Sequence, residues 1–159
     1  MEKDIRHACG YENEVSTLFD FVLLYIKIWK LKCQASYQDG GHRVYSSTYR
    51  FICDIEQFTY DFTKALLVDA ECLQYRPSVL VAALISVSIE IQLNIWFDRE
   101  QEHLWVKEKC DMPVLEELTR CNKVWDDFVA DFFGKKSRED IDMLGRYLNL
   151  RLQAIFQAF

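Results

Sequence analysis

His103, Cys110 and Cys121 are the residues of this chain whose types come nearest to a metal site. A structural zinc ion takes a full tetrahedral set of such ligands at compact spacing; these three match no compact pattern, and no fourth ligand is obvious. The other histidines, His7 and His42, are scattered. Adjacent acids at Glu116-Glu117 and Asp126-Asp127 could in principle form an acid/base pair. On a helix, however, neighbouring side chains point about 100° apart, so these read as solvated faces. No glycine-rich phosphate loop, dinucleotide fingerprint or serine nucleophile elbow occurs. The aromatic side chains of Trp96 and Trp125 fit core or interface positions better than a cofactor box. The chemistry-bearing residues therefore point to a binding or regulatory module rather than an enzyme, with no cofactor implied.

Elements able to position those residues follow from composition and periodicity. The chain has 159 residues, half of them hydrophobic and 14% aromatic, which is enough for one domain with a sizeable core. Its 5 Gly and 2 Pro are too few for the turns of a many-stranded β fold. With 19 basic and 25 acidic side chains the net charge is −6, without the basic surplus of a free-standing nucleic-acid binder. The basic island Lys135-Lys136-Ser137-Arg138 runs straight into Glu139, Asp140 and Asp142 and reads as a solvated loop. The six cysteines, Cys9, Cys33, Cys53, Cys72, Cys110 and Cys121, include no C-x-x-C pair. Four of them fall on apolar helix faces, the pattern of buried reduced thiols in an intracellular protein. "MEKDIRH" is too charged for a secretory leader, and apolar runs such as 79–85 fall short of the roughly 18 residues of a membrane span.

Helical periodicity dominates. Residues 1–9 read as a short helix or the end of one. Thr17 is placed to cap the next helix, with Asp20 as the acid of a capping box. Leu18, Phe21, Val22, Tyr25, Ile28 and Trp29 recur at helical spacing, and Leu23, Leu24 and Ile26 widen that stripe until the helix should be buried on most sides. Lys27, Lys30 and Lys32 then fall near its C-terminal end, where the helix dipole favours cations. "QDGGH" at 38–42 is a breaker. A helix over about 44–68 carries Phe51, Ile55, Phe58, Phe62 and Leu66 on one face, followed by a short element at 70–75. Pro77 suits the first turn of a central apolar helix running to about residue 93. Residues 94–111 read as a charged surface connection. Asp111 and Pro113 open "VLEELTRCNKVWDDFVADFF", which Gly134 ends, and Ser137 with Asp140 forms a second capping box. The last helix aligns Ile141, Leu144, Leu148, Leu152, Ile155 and Phe159, a stripe that either folds over the core or meets a partner. The expected fold is all-α: about five principal helices around a central hydrophobic one.

"STLFDFVLLYIK", "LLVDAECLQYRPSVLVAALI" and "LEELTRC" stand in the order of motifs found in the second repeat of the cyclin family, which this chain resembles over about a hundred residues. The matching positions are Thr17, Phe21, Leu67, Asp69, Tyr75, Pro77, Ser78, Ala82, Ala83, Leu84, Leu118 and Cys121. The resemblance implies a cyclin-like bundle, with residues 1–16 as the end of a preceding repeat and its linker, 17–134 as the helical domain and 137–159 as a C-terminal amphipathic helix. It also implies that most of a first repeat lies outside this chain, so that a larger chain or complex is expected. The partner implied is a cyclin-dependent protein kinase in the nucleus or cytoplasm, contacted mainly through the first repeat. Here Glu2 and Tyr11 stand at the partner-binding positions. Asp4, Arg6 and Asn13 depart from the family pattern, standing where apolar residues are usual. A kinase-independent scaffold of the same fold, or an adaptor of the TFIIB type, is the alternative reading; the acidic balance makes nucleic acid the less expected partner.

Overall fold

A computed structural model describes residues 17–40, 46–67, 69–107 and 112–157. Among the described residues there are five α-helices: α1 Leu18–Gly40, α2 Ser46–Leu66, α3 Pro77–Lys107, α4 Met112–Phe132 and α5 Lys135–Gln157, with a 3-10 turn at Cys72–Gln74 between α2 and α3. There is no strand among the described residues. The architecture is an all-α bundle, and α3 packs against each of the other four helices.

The entry to α1 is the expected capping box. Thr17 Oγ1 accepts from the Asp20 backbone N–H at 3.3 Å, and an Asp20 carboxylate oxygen accepts from the Thr17 N–H at 2.8 Å. Two backbone donors that the helix itself cannot satisfy are thereby paired. The helix runs to Gly40, inside the expected breaker. Lys27, Lys30 and Lys32 therefore sit in mid-helix, not at a C-terminal dipole; Lys30 instead pairs with Glu56 at 3.0 Å, and Lys32 lies over the Phe128 ring at 5.9 Å. Nor is α1 buried on most sides. Val22, Tyr25, Ile26 and Trp29 are enclosed, while Leu23, Leu24 and Leu31 stay about half exposed because no described helix packs on that side.

Helix α2 buries Phe51, Ile55, Phe62 and Leu66, as its periodicity indicates, and also Thr48, Thr59 and Thr63. Thr59 and Thr63 resolve the cost of burying a hydroxyl by donating to the carbonyls of Ile55 and Thr59, each at 2.7 Å. Pro77 opens α3, and the Arg76 carbonyl accepts from Leu80 N–H at 3.0 Å, so the proline's missing donor costs nothing. Residues 79–85, 87 and 89 are buried; Ala82 and Ala83 have no exposed surface, which lets neighbouring backbones come close.

Three boundaries differ from expectation. Helix α3 does not stop near residue 93 but continues to Lys107, since the charged stretch after it contains no glycine or proline to end it. The continuous segment Pro77–Asp98 is thus long and apolar enough to cross a membrane by length and composition, although 56% of an 18-residue apolar window within it is buried in the bundle, as in the core helix of a helical domain. Helix α5 begins at Lys135, placing Ser137 and Asp140 inside it. The Gly134 carbonyl accepts from Arg138 N–H at 3.0 Å, so Gly134 both separates α4 from α5 and starts the latter, and Ser137 forms no cap. The α5 stripe folds over the core as far as Leu152: Ile141, Leu144, Leu148 and Leu152 are buried, while the side chains of Ile155 and Phe159 lie outside the described residues.

An aromatic seam joins α1 to α4. Trp125 lies 6.1 Å from Trp29, 6.3 Å from Tyr25 and 5.4 Å from Phe128 by ring centroids. Both indoles also donate: Trp29 Nε1 to the Cys121 carbonyl at 2.9 Å and Trp125 Nε1 to Ser86 Oγ at 2.8 Å. A buried indole keeps its apolar contact area while its N–H is satisfied.

Candidate functional site

A polar cluster is built around Asp69, in the turn between α2 and the 3-10 segment. One carboxylate oxygen accepts from the backbone N–H groups of Glu71 at 3.0 Å and Cys72 at 3.4 Å, an Asx-type turn that fixes the chain's direction before α3. The other accepts from Tyr147 Oη at 3.3 Å and faces Arg151 Nε at 3.5 Å. Tyr147 and Arg151 are four apart on α5, so they present one face beside the Leu144, Leu148 and Leu152 stripe. A single carboxylate thus ties the turn leading into α3 to the helix that packs along α3.

Asp69 has a side chain only 9% exposed. Burial pushes its carboxyl upward, but the N–H donors of Cys72 and Glu71, the Arg151 charge and the Tyr147 hydroxyl outweigh this and hold it below the usual carboxylate range. The same contacts act in reverse on Tyr147, whose hydroxyl is pushed up to about 12 by burial, by the Glu71 side chain and by Asp69. Cys72 rises to about 11, from burial and then from the Asp69 charge. A depressed carboxylate is a poor base and a raised thiol a poor nucleophile at neutral pH. This cluster positions helices; it is not tuned for proton transfer.

Two hollows flank the junction. A small one of about 90 Å³ is walled by Phe62, Leu66, Leu84, Leu148 and Leu152, with Asp69 and Arg151 as its polar members. A wider one of about 380 Å³ is bounded by Glu71, Gln74, Tyr75, Met143, Leu144 and Tyr147.

The partner-binding candidates Glu2 and Tyr11 lie outside the described residues, as does the 1–16 segment. His103 and Cys110 are likewise not described at the side-chain level, and among the described residues no group of three or more metal-ligand types comes together. Cys33, Cys72 and Cys121 are buried, and Cys53 is exposed, looking outward from α2. The Cys33 thiol is pushed up by its contact with the Cys121 side chain and by burial, so it is not primed for reaction. Asp126 is raised by partial burial and by the charges of Asp127 and Asp142, the last of them on α5. Tyr25 is pushed up to about 12 by burial, a rise that the nearby Ser78 side chain moderates.

Tyr147 and Arg151 are the site residues that the sequence alone does not reveal. The available signal is local, a tyrosine and an arginine one turn apart beside a leucine stripe; their partner lies 78 residues from Tyr147. No protein-family model, curated protein or solved structure matches the chain.

Proposed function

We propose that this chain is a cyclin-like regulatory module, non-catalytic itself, that works by protein–protein contact on a cyclin-dependent protein kinase. The observation that supports this reading is the burial of Ala82 and Ala83 in a helix packed against all four others. Small residues at that point let the surrounding helices approach, and several other residues of the resemblance have jobs consistent with it, although Leu67 is about half exposed. Thr17 caps α1, Asp69 orients the turn, Pro77 opens α3, and Leu118 and Cys121 are buried on α4.

In this reading the bundle is a rigid support. Regulation is a shift of the kinase toward its active arrangement by differential binding, with Glu2 and Tyr11 on the contacting segment. The chain alone is expected to bind the kinase without activating it strongly. Immobilised cyclin-dependent kinases exposed to the purified chain, with Glu2→Ala and Tyr11→Ala as comparison variants, test the contact. Histone phosphorylation by the kinase with added chain tests activation. Absence of binding across the kinase panel removes the reading, and strong activation by the chain alone removes the supporting role assigned to it.

A further inference from the structure

A second surface, away from the Asp69 junction, is formed where α3 and α5 run side by side. Two hollows lie along this seam, of about 300 and 450 Å³. Both are lined by Glu90 and Asn149, which makes them one continuous groove. The first hollow takes residues 86–90 of α3 with 141–149 of α5, and the second takes 90–98 with 149 and 153. From Asp142 to Gln153 the groove follows α5 for about 16 Å at the helical rise, which an extended chain covers with about five residues.

Its floor is apolar: Val87 is buried, Ile91 half-buried and Ile95 over a third exposed. Along the edges stand three carboxamides, Asn94, Asn149 and Gln153, each with both donor and acceptor groups. The amide of Gln153 reaches Asn149 at 3.5 Å, a long bond that is easily exchanged for another. Such groups suit a partner with free backbone N–H and C=O groups, which an extended peptide has and a helix lacks. Charge selects further. Glu90, Asp98 and Asp142 are exposed carboxylates in the lining, and Arg146, one turn from Asp142, offsets charge at that end only. Glu90 and Asp98 remain, two turns apart and about 12 Å along the axis, the reach of about four residues of extended chain.

We infer that the α3–α5 groove docks an extended, basic peptide segment of a partner protein, with two lysine or arginine side chains about four residues apart meeting Glu90 and Asp98. The apolar floor takes the intervening side chains, and the carboxamides pair with the peptide backbone. This inference does not depend on the kinase reading.

The test uses the full chain and short fluorescein-labelled peptides in a Thr/Val background, which favours extended structure. One carries two lysines about four positions apart, one has both replaced by Gln, and one has them adjacent. Fluorescence anisotropy at low salt should show saturable binding of the first peptide and at least about tenfold weaker binding of the other two. The Glu90→Lys/Asp98→Lys variant should lose a similar factor. The Asp61→Lys/Asp131→Lys variant, with the same net charge and its changes outside the groove, should not. All four positions are exposed, so folding is not at stake, and far-ultraviolet circular dichroism checks this. Equal binding of all three peptides, equal loss in both variants, or no saturable binding overturns the inference. So does a chain that sediments as a dimer and becomes monomeric in Glu90→Lys/Asp98→Lys, which would assign the groove to a second copy.

Discussion

Against α1 and α4, helix α3 meets a cluster of aromatic rings whose indole N–H groups are anchored to a hydroxyl and a backbone carbonyl. Against α5 it meets leucines, one glycine and, at one end, the polar anchor of Asp69. The first seam is directional, its two indoles held by hydrogen bonds at its centre. The second is smooth, has its hydrogen bonds at the margin and is lined on its outer edge by polar groups. One helix thus divides its labour: the aromatic side specifies the fold, and the α5 side builds the surfaces on which ligands could sit. If that division is real, damage to the two seams should differ in kind as well as in size.

Trp125→Ala should have the largest effect. It removes a fully buried indole, empties the contact with Tyr25, Trp29 and Phe128, and leaves Ser86 without that donor. A loss of about 3–5 kcal/mol is expected, a large share of the roughly 5–15 kcal/mol of a typical domain. Urea unfolding should show the midpoint falling steeply, together with the near-ultraviolet dichroism of the whole aromatic cluster. A loss below about 1 kcal/mol would mean that the rings are filler and that the seam does not specify the fold.

Asp69→Ala should cost less, about 1–3 kcal/mol, by leaving two turn N–H groups and Tyr147 without their acceptor. Its signature should be local. Amide exchange in α5 around 147–152 should quicken while the aromatic seam stays protected. The acid dependence has a defined sign. A carboxyl depressed in the folded state stabilises above its unfolded pKa and loses that contribution as pH falls through its lower folded value. The stability gap between wild type and variant should be constant down to about pH 4 and close below it. A gap that persists unchanged at lower pH would show that Asp69 acts by shape and not by charge.

How much of this was legible depends on how far apart the cooperating residues lie. The Thr17–Asp20 capping box and the Pro77 helix start are contained in three or four neighbouring residues and are readable directly. The stripe of Leu144, Leu148 and Leu152 is readable because periodicity alone decides it. The end of α3 is not: residues 94–107 have the charge of a surface connection, yet only a backbone breaker would stop the helix, and none is present. Ser137 looks like a cap by type and spacing, but Gly134 starts α5 earlier. The α1 surface also misleads, since an apolar side chain such as Leu24 or Leu31 carries no mark of whether anything covers it. Asp69, Tyr147 and Arg151 meet only through the fold, as do the two walls of the α3–α5 groove. Tertiary contacts between distant, individually ordinary residues leave no local pattern.

Gly145→Ala should have the smallest effect, and it bears on the α5 seam most directly. A Cβ built at Gly145 would meet Val87 Cγ2 at 3.7 Å, an ordinary van der Waals contact, so the methyl group has room. The helix interior gains from losing a glycine, by about 0.5–1 kcal/mol, because less backbone entropy is surrendered on folding. The melting temperature should therefore rise by about 1–4 °C for a chain of this size. Destabilisation would be the informative failure. It would mean that α5 sits closer to α3 than van der Waals contact allows for an added methyl, and that the smooth seam is as tightly specified as the aromatic one. The contrast between the two sides of α3 would then be one of residue type alone, and the groove would be too rigid to adjust to an incoming peptide.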